Sequence, residues 1–363
     1  MSVQCRATCS NMNQSVQRKR VTGYWKPSRS QLVRTIVAAI VAALSLTSAL
    51  SLRAAPRANS TLYLPLIMRG NSSPAIDGCP VFPADNVWNA RVDALPVDAK
   101  SSTHIAFIGP NIGLHPDFGS GTWEGGPIGI PYTTVPATQP RVSITFYYPD
   151  ESDPGPYPIP PDTPIEYGSD HHILIIERDN CNLYEVFDAS TSNGGASWDA
   201  GSGAVWNLRS NALRPADWTS ADAAGLPILP GLARYDEVAA GEIKHALRFT
   251  VSATNGTYIW PARHRTTSPF NANAPPMGQR FRLKSSFDVS GFSPQVQVIL
   301  NGLKSYGMFV ADNGSNWYIS GAPDERWDND MLVGELRRVK GTDFEAVDES
   351  SLMVDPNSGQ VRR

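Results

Sequence analysis

The first 76 residues contain no acidic side chain; Asp77 is the first in the chain. Cysteine is scarce, four in 363 residues, and Cys5 and Cys9 both fall in that acid-free stretch. No CxxC and no Cys/His spacing suited to structural zinc occurs, so no metal is expected. Motifs that would name a reaction are missing too: there is no P-loop, no HExxH, and no GxSxG beyond residue 76. Gly-rich GSGTWEGG and NGGASWDAGSG do not sit between a strand and a helix, so no nucleotide and no other cofactor is expected. No period of about 20–50 residues recurs, which argues against a solenoid or propeller.

What the N-terminus does contain is a basic stretch running into an apolar one. Arg6, Arg18, Lys19, Arg20, Lys26, Arg29 and Arg34 precede Thr35 to Leu52, which is uncharged and rich in Ala and Ser. A basic flank, an apolar run and small residues at its end make an export signal. The run falls slightly short of the roughly 20 residues of a spanning helix. Cleavage is therefore favoured over an uncleaved anchor, and a secreted or cell-surface location is expected. Residues 1–55 are assigned to the signal and 56–76 to a tether. No later run approaches spanning length, so no membrane contact is expected once the signal is removed.

Ten of the 31 Lys/Arg and none of the 34 Asp/Glu precede Asp77, leaving 21 basic against 34 acidic side chains, a formal charge of −13. Such a body repels phosphate backbones, so nucleic acid is excluded as a partner. The two remaining cysteines, Cys79 and Cys181, suit a disulfide in an oxidising compartment. Closing a loop of that length is worth at most ~4.7 kcal/mol in the chain-entropy model.

Residues 77–348 read as one β-rich domain, a β-sandwich or barrel-like fold with two helices near its C-terminus, and 349–363 as a tail. Arg141 to Tyr148 alternates Val142, Ile144 and Phe146 on one face. His171 to Ala189 reads as two strands about a turn at Asp179-Asn180, the first apolar on both faces at Ile173 to Ile176 and hence buried on both sides. Hairpins are expected at Asn255-Gly256 and at Asp312 to Gly314. The Pro-dense stretch Asp150 to Pro164 reads as a long surface loop. Ser293 to Gly307 is a helix with Ser293 as N-cap, Pro294 first, and an apolar stripe of Val296, Ile299, Leu300 and Leu303. Asp328 to Gly341 is the second, with acids at its start and bases at its end.

Candidate chemistry lies in histidines and carboxylates. His172 opens the buried strand and shares a face with Leu174 and Ile176. His245 follows a segment holding Asp236, Glu237 and Glu242, and carboxylate beside imidazole is an arrangement that orients a base. About the Asn255-Gly256 turn, His245 and His264 fall at one end of a hairpin, in one expected cleft. Tyr258, Trp260, Arg263 and His264 offer a sugar- or carboxylate-binding wall; equally, Trp260 suits a core. Trp317 and Asp312 lie in NGSNWYISG and its preceding turn, and several of the eight tryptophans beyond residue 76 stand beside Asp, Asn or Gly. Flat rings edged by polar groups suit sugar faces. Carboxylate pairs for glycoside hydrolysis include Glu177 with Glu185 and Asp236 with Glu237.

The segments DWTSADAAGLPILPGLARYDEVAAGEIKHALRFTV, PPMGQRFRLKSSFDVSGF and LKSYGMFVADNGSNWYISG resemble an uncharacterised family of exported bacterial proteins. The resemblance implies one shared architecture and carries over no catalytic residue. The expectation is a secreted protein acting on an extracellular glycan, a glycoside hydrolase or lyase using His245, His264, His172, Glu237 and Asp236. Trp260, Tyr258, Arg263, Trp317 and Asp312 would bind the substrate in a Trp-lined cleft. A non-catalytic carbohydrate-binding or surface-matrix protein is the alternative, and an esterase or peptidase with His245 as base the second.

Overall fold

The computed structural model describes residues 73–362; the residues expected to form the export signal and most of the expected tether lie outside them. The described chain is mostly strands in several sheets, with four α-helices and no closed barrel among the described residues. No described helix is long and apolar enough to cross a membrane.

A four-stranded sheet runs Ser202–Asn207, Asn182–Phe187, Ile173–Glu177, Tyr132–Val135, antiparallel except for the last pair. Its strand Ile173–Glu177 is buried throughout. Alternation sends Leu174 and Ile176 into the larger hydrophobic cluster, and Ile173 and Ile175 into a smaller one on the other face. The smaller cluster is closed by Trp198 and Ala200 of a three-stranded sheet and by Tyr157 and Ile159. The last two belong to the Pro-rich stretch, so that stretch is no surface loop: its apolar residues plug a core.

A six-stranded sheet runs Phe344–Ala346, Arg280–Leu283, Met308–Asn313, Leu247–Val251, Tyr318–Ser320, His115–Asp117. Here both expected hairpins fail. Leu247–Val251 lies between Met308–Asn313, which it pairs in parallel, and Tyr318–Ser320, which it pairs antiparallel. A strand has two hydrogen-bonding edges, and both are taken. Residues 257–262 therefore form no strand, and Asn255 uses its side chain to accept from the Thr257 N–H at 2.9 Å. The turn at Asp312 to Gly314 joins two strands that another strand separates.

The helices near the C-terminus are Pro294–Ser305 and Asn329–Leu336. The first buries the expected stripe and ends before Gly307, whose φ is +65° and where a Cβ would lie 2.3 Å from the Phe281 carbonyl. Asp328 caps the second by accepting from the Met331 N–H at 2.9 Å. That helix stops short of the expected Gly341. Two helices went unread, Ser101–Ile108 and Tyr235–Ala240.

Cys79 and Cys181 are bonded, with Cα atoms 5.3 Å apart. The boundary at 348 cuts through packed structure. Glu349 is buried against Arg280 at 2.6 Å, and Arg263 donates to Pro356 O and Asn357 Oδ1 at 2.6 and 2.8 Å.

Candidate active site

Four segments, joined by Asp170, Phe187 and Ser202, meet in a solvent-open pocket of about 420 Å³. One is the end of Met308–Asn313. A one-residue bulge at Ala311 sets Asp312 opposite Thr250, on the face of the six-stranded sheet that carries Arg248. Without the bulge, alternation would turn Asp312 the other way. The second segment is the loop around Asp222, lashed down by Ala224 N–H to the Ala311 carbonyl at 2.9 Å and by Arg263 and His264 N–H to the Ala224 carbonyl. Gly225 in this loop has φ +67°, and a Cβ there would lie 2.6 Å from the Trp218 carbonyl. The third is the stretch Tyr148 to Glu151, and the fourth is His264 with Thr267.

Beneath the pocket floor the charges are organised in pairs. Arg248 donates Nε and Nη2 to the two oxygens of Asp222 at 3.1 and 2.9 Å, and Nη1 to Ser320 Oγ at 2.6 Å. A bidentate fork of this kind holds a carboxylate in one orientation. Burial works against the guanidinium charge, but Asp222 outweighs it and holds Arg248 above its ordinary value. Asp222 itself is raised, by burial first, with Arg248 opposing.

His172 directs Nδ1 to Glu166 and Nε2 to the Ala221 carbonyl at 2.9 Å. Both acceptors call for an N–H, so the ring is an imidazolium. Burial opposes that charge, and the Glu166 carboxylate prevails, pushing His172 up to about 9. Glu185, on the same sheet face as Leu174, accepts backbone N–H bonds from Ile228 and Leu229 at 2.9 and 2.8 Å. Burial still lifts it to about 7.

Asp312 is the group left with chemical freedom. Its Oδ1 accepts from the Asn313 N–H at 2.6 Å. Burial first, then the nearby Asp222, push its carboxyl up to about 7, with Arg248 opposing. It faces the pocket half-buried, at a pKa suited to donating a proton near neutrality. Glu151 and His264 share the pocket, with 3.8 Å between Oε2 and Nε2, and His264 Nδ1 lies 2.9 Å from the Ala223 carbonyl.

Of the residues read from the sequence, His264 and Asp312 line the pocket and His172 lies beneath it. The others go elsewhere. His245 is fully buried between Glu237, at 2.9 Å, and the Ala246 carbonyl, at 2.8 Å, and does not line the pocket that His264 lines. The failed hairpin removes the reason for joining them. Glu237 and Asp236 are both taken by Arg234. Arg263 spends its donors on Arg214 O, Pro356 O and Asn357, which makes it a clamp on the C-terminal segment. Tyr258 bonds Asp217, and Trp260 bonds Ser358 O and lines a separate pocket of about 290 Å³.

Trp317 is wholly buried, stacked on Phe249 and Phe344. Trp88, Trp198, Trp206 and Trp327 are buried as well, and no tryptophan lines the pocket; its aromatics are Tyr148 and Phe187. The Trp-lined cleft is thus replaced by an acid-lined pocket. Glu177 and Glu185 point to opposite faces of their sheet, since Glu185 opposes Leu174 while Glu177 alternates with Ile173 and Ile175, and Glu177 is held by Arg141 at 2.9 Å.

Asp222, Arg248 and Glu166 were missed. Arg248 carried a signal, a charged residue inside the apolar run ALRFTV, which a buried strand tolerates only with a partner. Among the described residues no group of three or more His, Cys, Asp and Glu side chains is arranged to hold a metal ion. No protein family, curated protein or solved structure matches the chain, so the pocket is interpreted from its own chemistry.

Proposed function

We propose that the chain is an exported hydrolase of extracellular polysaccharide, with Asp312 as its proton donor. The observation that carries this reading is a carboxyl pushed up to about 7 in a solvent-open pocket that also holds a second carboxyl group, Glu151, 38% exposed. Glycoside hydrolysis uses two carboxyl groups kept in different protonation states by their surroundings. Asp312 would give its proton to the leaving glycosidic oxygen as the bond to the anomeric carbon breaks. Water would attack that carbon and pass a proton to Glu151, with His264 alongside. Tyr148, Thr267 and Asn313 in the wall offer hydroxyl and amide groups to sugar hydroxyls.

A lyase fits less well. Eliminating across a uronate requires a cation to neutralise its carboxylate, and the lining residues include no Lys or Arg. Export is supported by the basic and apolar N-terminal run together with the bonded Cys79 and Cys181. A glycan-binding module without catalysis is the second reading, favoured by Tyr148, 50% exposed at the mouth.

The test is release of reducing ends from a panel of neutral polysaccharides. Asp312→Asn should lower the rate by about 10²–10⁴-fold, the range for loss of a general acid, while glycan binding persists. Wild-type activity should fall as pH rises through about 7, where Asp312 gives up its proton. Undiminished cleavage in Asp312→Asn would sink the assignment.

A further inference from the structure

We propose that Tyr147 and Tyr148 form an outer subsite where a second sugar ring of a non-acidic glycan stacks while a first ring occupies the pocket; this rests on the pocket being a glycan site. Tyr147 is 79% exposed and Tyr148 50%, where most other described aromatic side chains are buried or half-buried. Their rings meet edge to face at 4.7 Å, so each limits the other's rotation. The backbone beneath them is fixed. Tyr147 and Tyr148 donate N–H bonds to the carbonyls of Ala200 and Gly201 at 2.8 and 2.9 Å, and Ser152 Oγ donates to the Tyr148 carbonyl at 2.7 Å. Rigidly held tyrosines offer contact area at low entropic cost, with an apolar face for sugar C–H surfaces and a hydroxyl at the rim.

Continuity with the pocket identifies the occupant. Tyr148 belongs to both the pocket wall and the exposed pair, so a chain leaving the pocket on that side passes onto Tyr147. Charge narrows the class. With Asp222 held by Arg248 and Asp312 keeping its proton, the lining still carries Glu151 and Asp170 and no Lys or Arg, so a uronate polymer would bring its carboxylates against acidic groups with no cation to receive them. Neutral hexose or glucosamine chains bring none.

The experiment is calorimetric titration of the secreted chain with glucose and glucosamine oligomers of graded length, and with galacturonate oligomers of the same lengths. Neutral or amino oligomers should bind, more tightly as they grow beyond the ring in the pocket. Tyr147→Ala should weaken the longest by about tenfold or more, bringing them toward the shortest. No binding by any oligomer, preferred binding of galacturonate, or intact length dependence in Tyr147→Ala would overturn the proposal. Cleavage by the wild type with length dependence unaltered in Tyr147→Ala defeats the subsite alone. Length-dependent binding with no cleavage of any glycan defeats the hydrolase alone.

Discussion

A buried charged side chain is informative only through its partner, and here some partners lie beyond a local reading of the sequence. Asp222 lies 26 residues from Arg248, and Glu237 lies eight from His245 across a helix end. His245 looked like a base because carboxylates precede it in the chain. Its ring instead bridges Glu237 and a backbone carbonyl, in an enclosed network with Arg234. Removing one member of a buried ionic network leaves the rest uncompensated, at a cost of about 3–5 kcal/mol. His245→Ala should therefore lower the urea unfolding free energy by about that amount while the proposed glycan binding at the pocket persists wherever the protein is folded. Loss of binding with unchanged stability would return His245 to the site. His172 and Asp312, which the structure sets under and in the pocket, were visible for a simpler reason: each is a polar group at the end of an apolar run, whereas His264 reaches the pocket without the hairpin from which it was read.

Elements were legible where their signals are local. The turn at Asp179-Asn180, the strand buried on both faces and the helix Pro294–Ser305 follow from alternation, helical spacing and caps within about 15 residues. Strand order is not local. Asn255-Gly256 is a sound turn signal, yet Leu247–Val251 had no free edge to offer the residues beyond it. The C-terminal segment was misread for the same reason: it is short and polar, and its anchors, Arg263 and Arg280, lie far upstream. Arg280 is fully buried, bonded to Glu349 and to the carbonyls of Tyr306, Val87 and Ala90. A chain ending at Asp348 would leave that guanidinium without its carboxylate and Arg263 without the C-terminal acceptors it clamps. Such a truncation should lower the urea midpoint sharply and open the body to limited proteolysis, whereas an unchanged midpoint would make residues 349–363 a dispensable tail.

For the whole molecule, the groups held off their ordinary values make stability depend on pH in a fixed direction. Asp312 and Glu185 rise to about 7 from 3.8 and 4.5, so above those ordinary values the folded state keeps protons that the unfolded chain has released. Raising the pH through that window removes stability. His172 rises to about 9 from 6.5, and its contribution is complete below 6.5 and lost as pH climbs through 9. Glu166 and Glu237 are shifted the other way, burial opposing and their histidine partners prevailing, so their contribution fades only in acid. The thermal midpoint should accordingly peak near pH 5 and decline toward pH 9. Asp312→Asn should flatten the decline between about pH 4 and 7 and leave the limb from 7 to 9, which belongs to His172. A midpoint that climbs from pH 5 to 9, or a variant with the wild-type slope, would mean that Asp312 is ordinarily ionised in the folded protein. In the proposed hydrolysis this carboxyl's proton is the one given to the leaving oxygen, so under that proposal the stability profile and the activity profile should break at the same pH. Both would then report one group, and a break in activity that persists in Asp312→Asn would assign it to another.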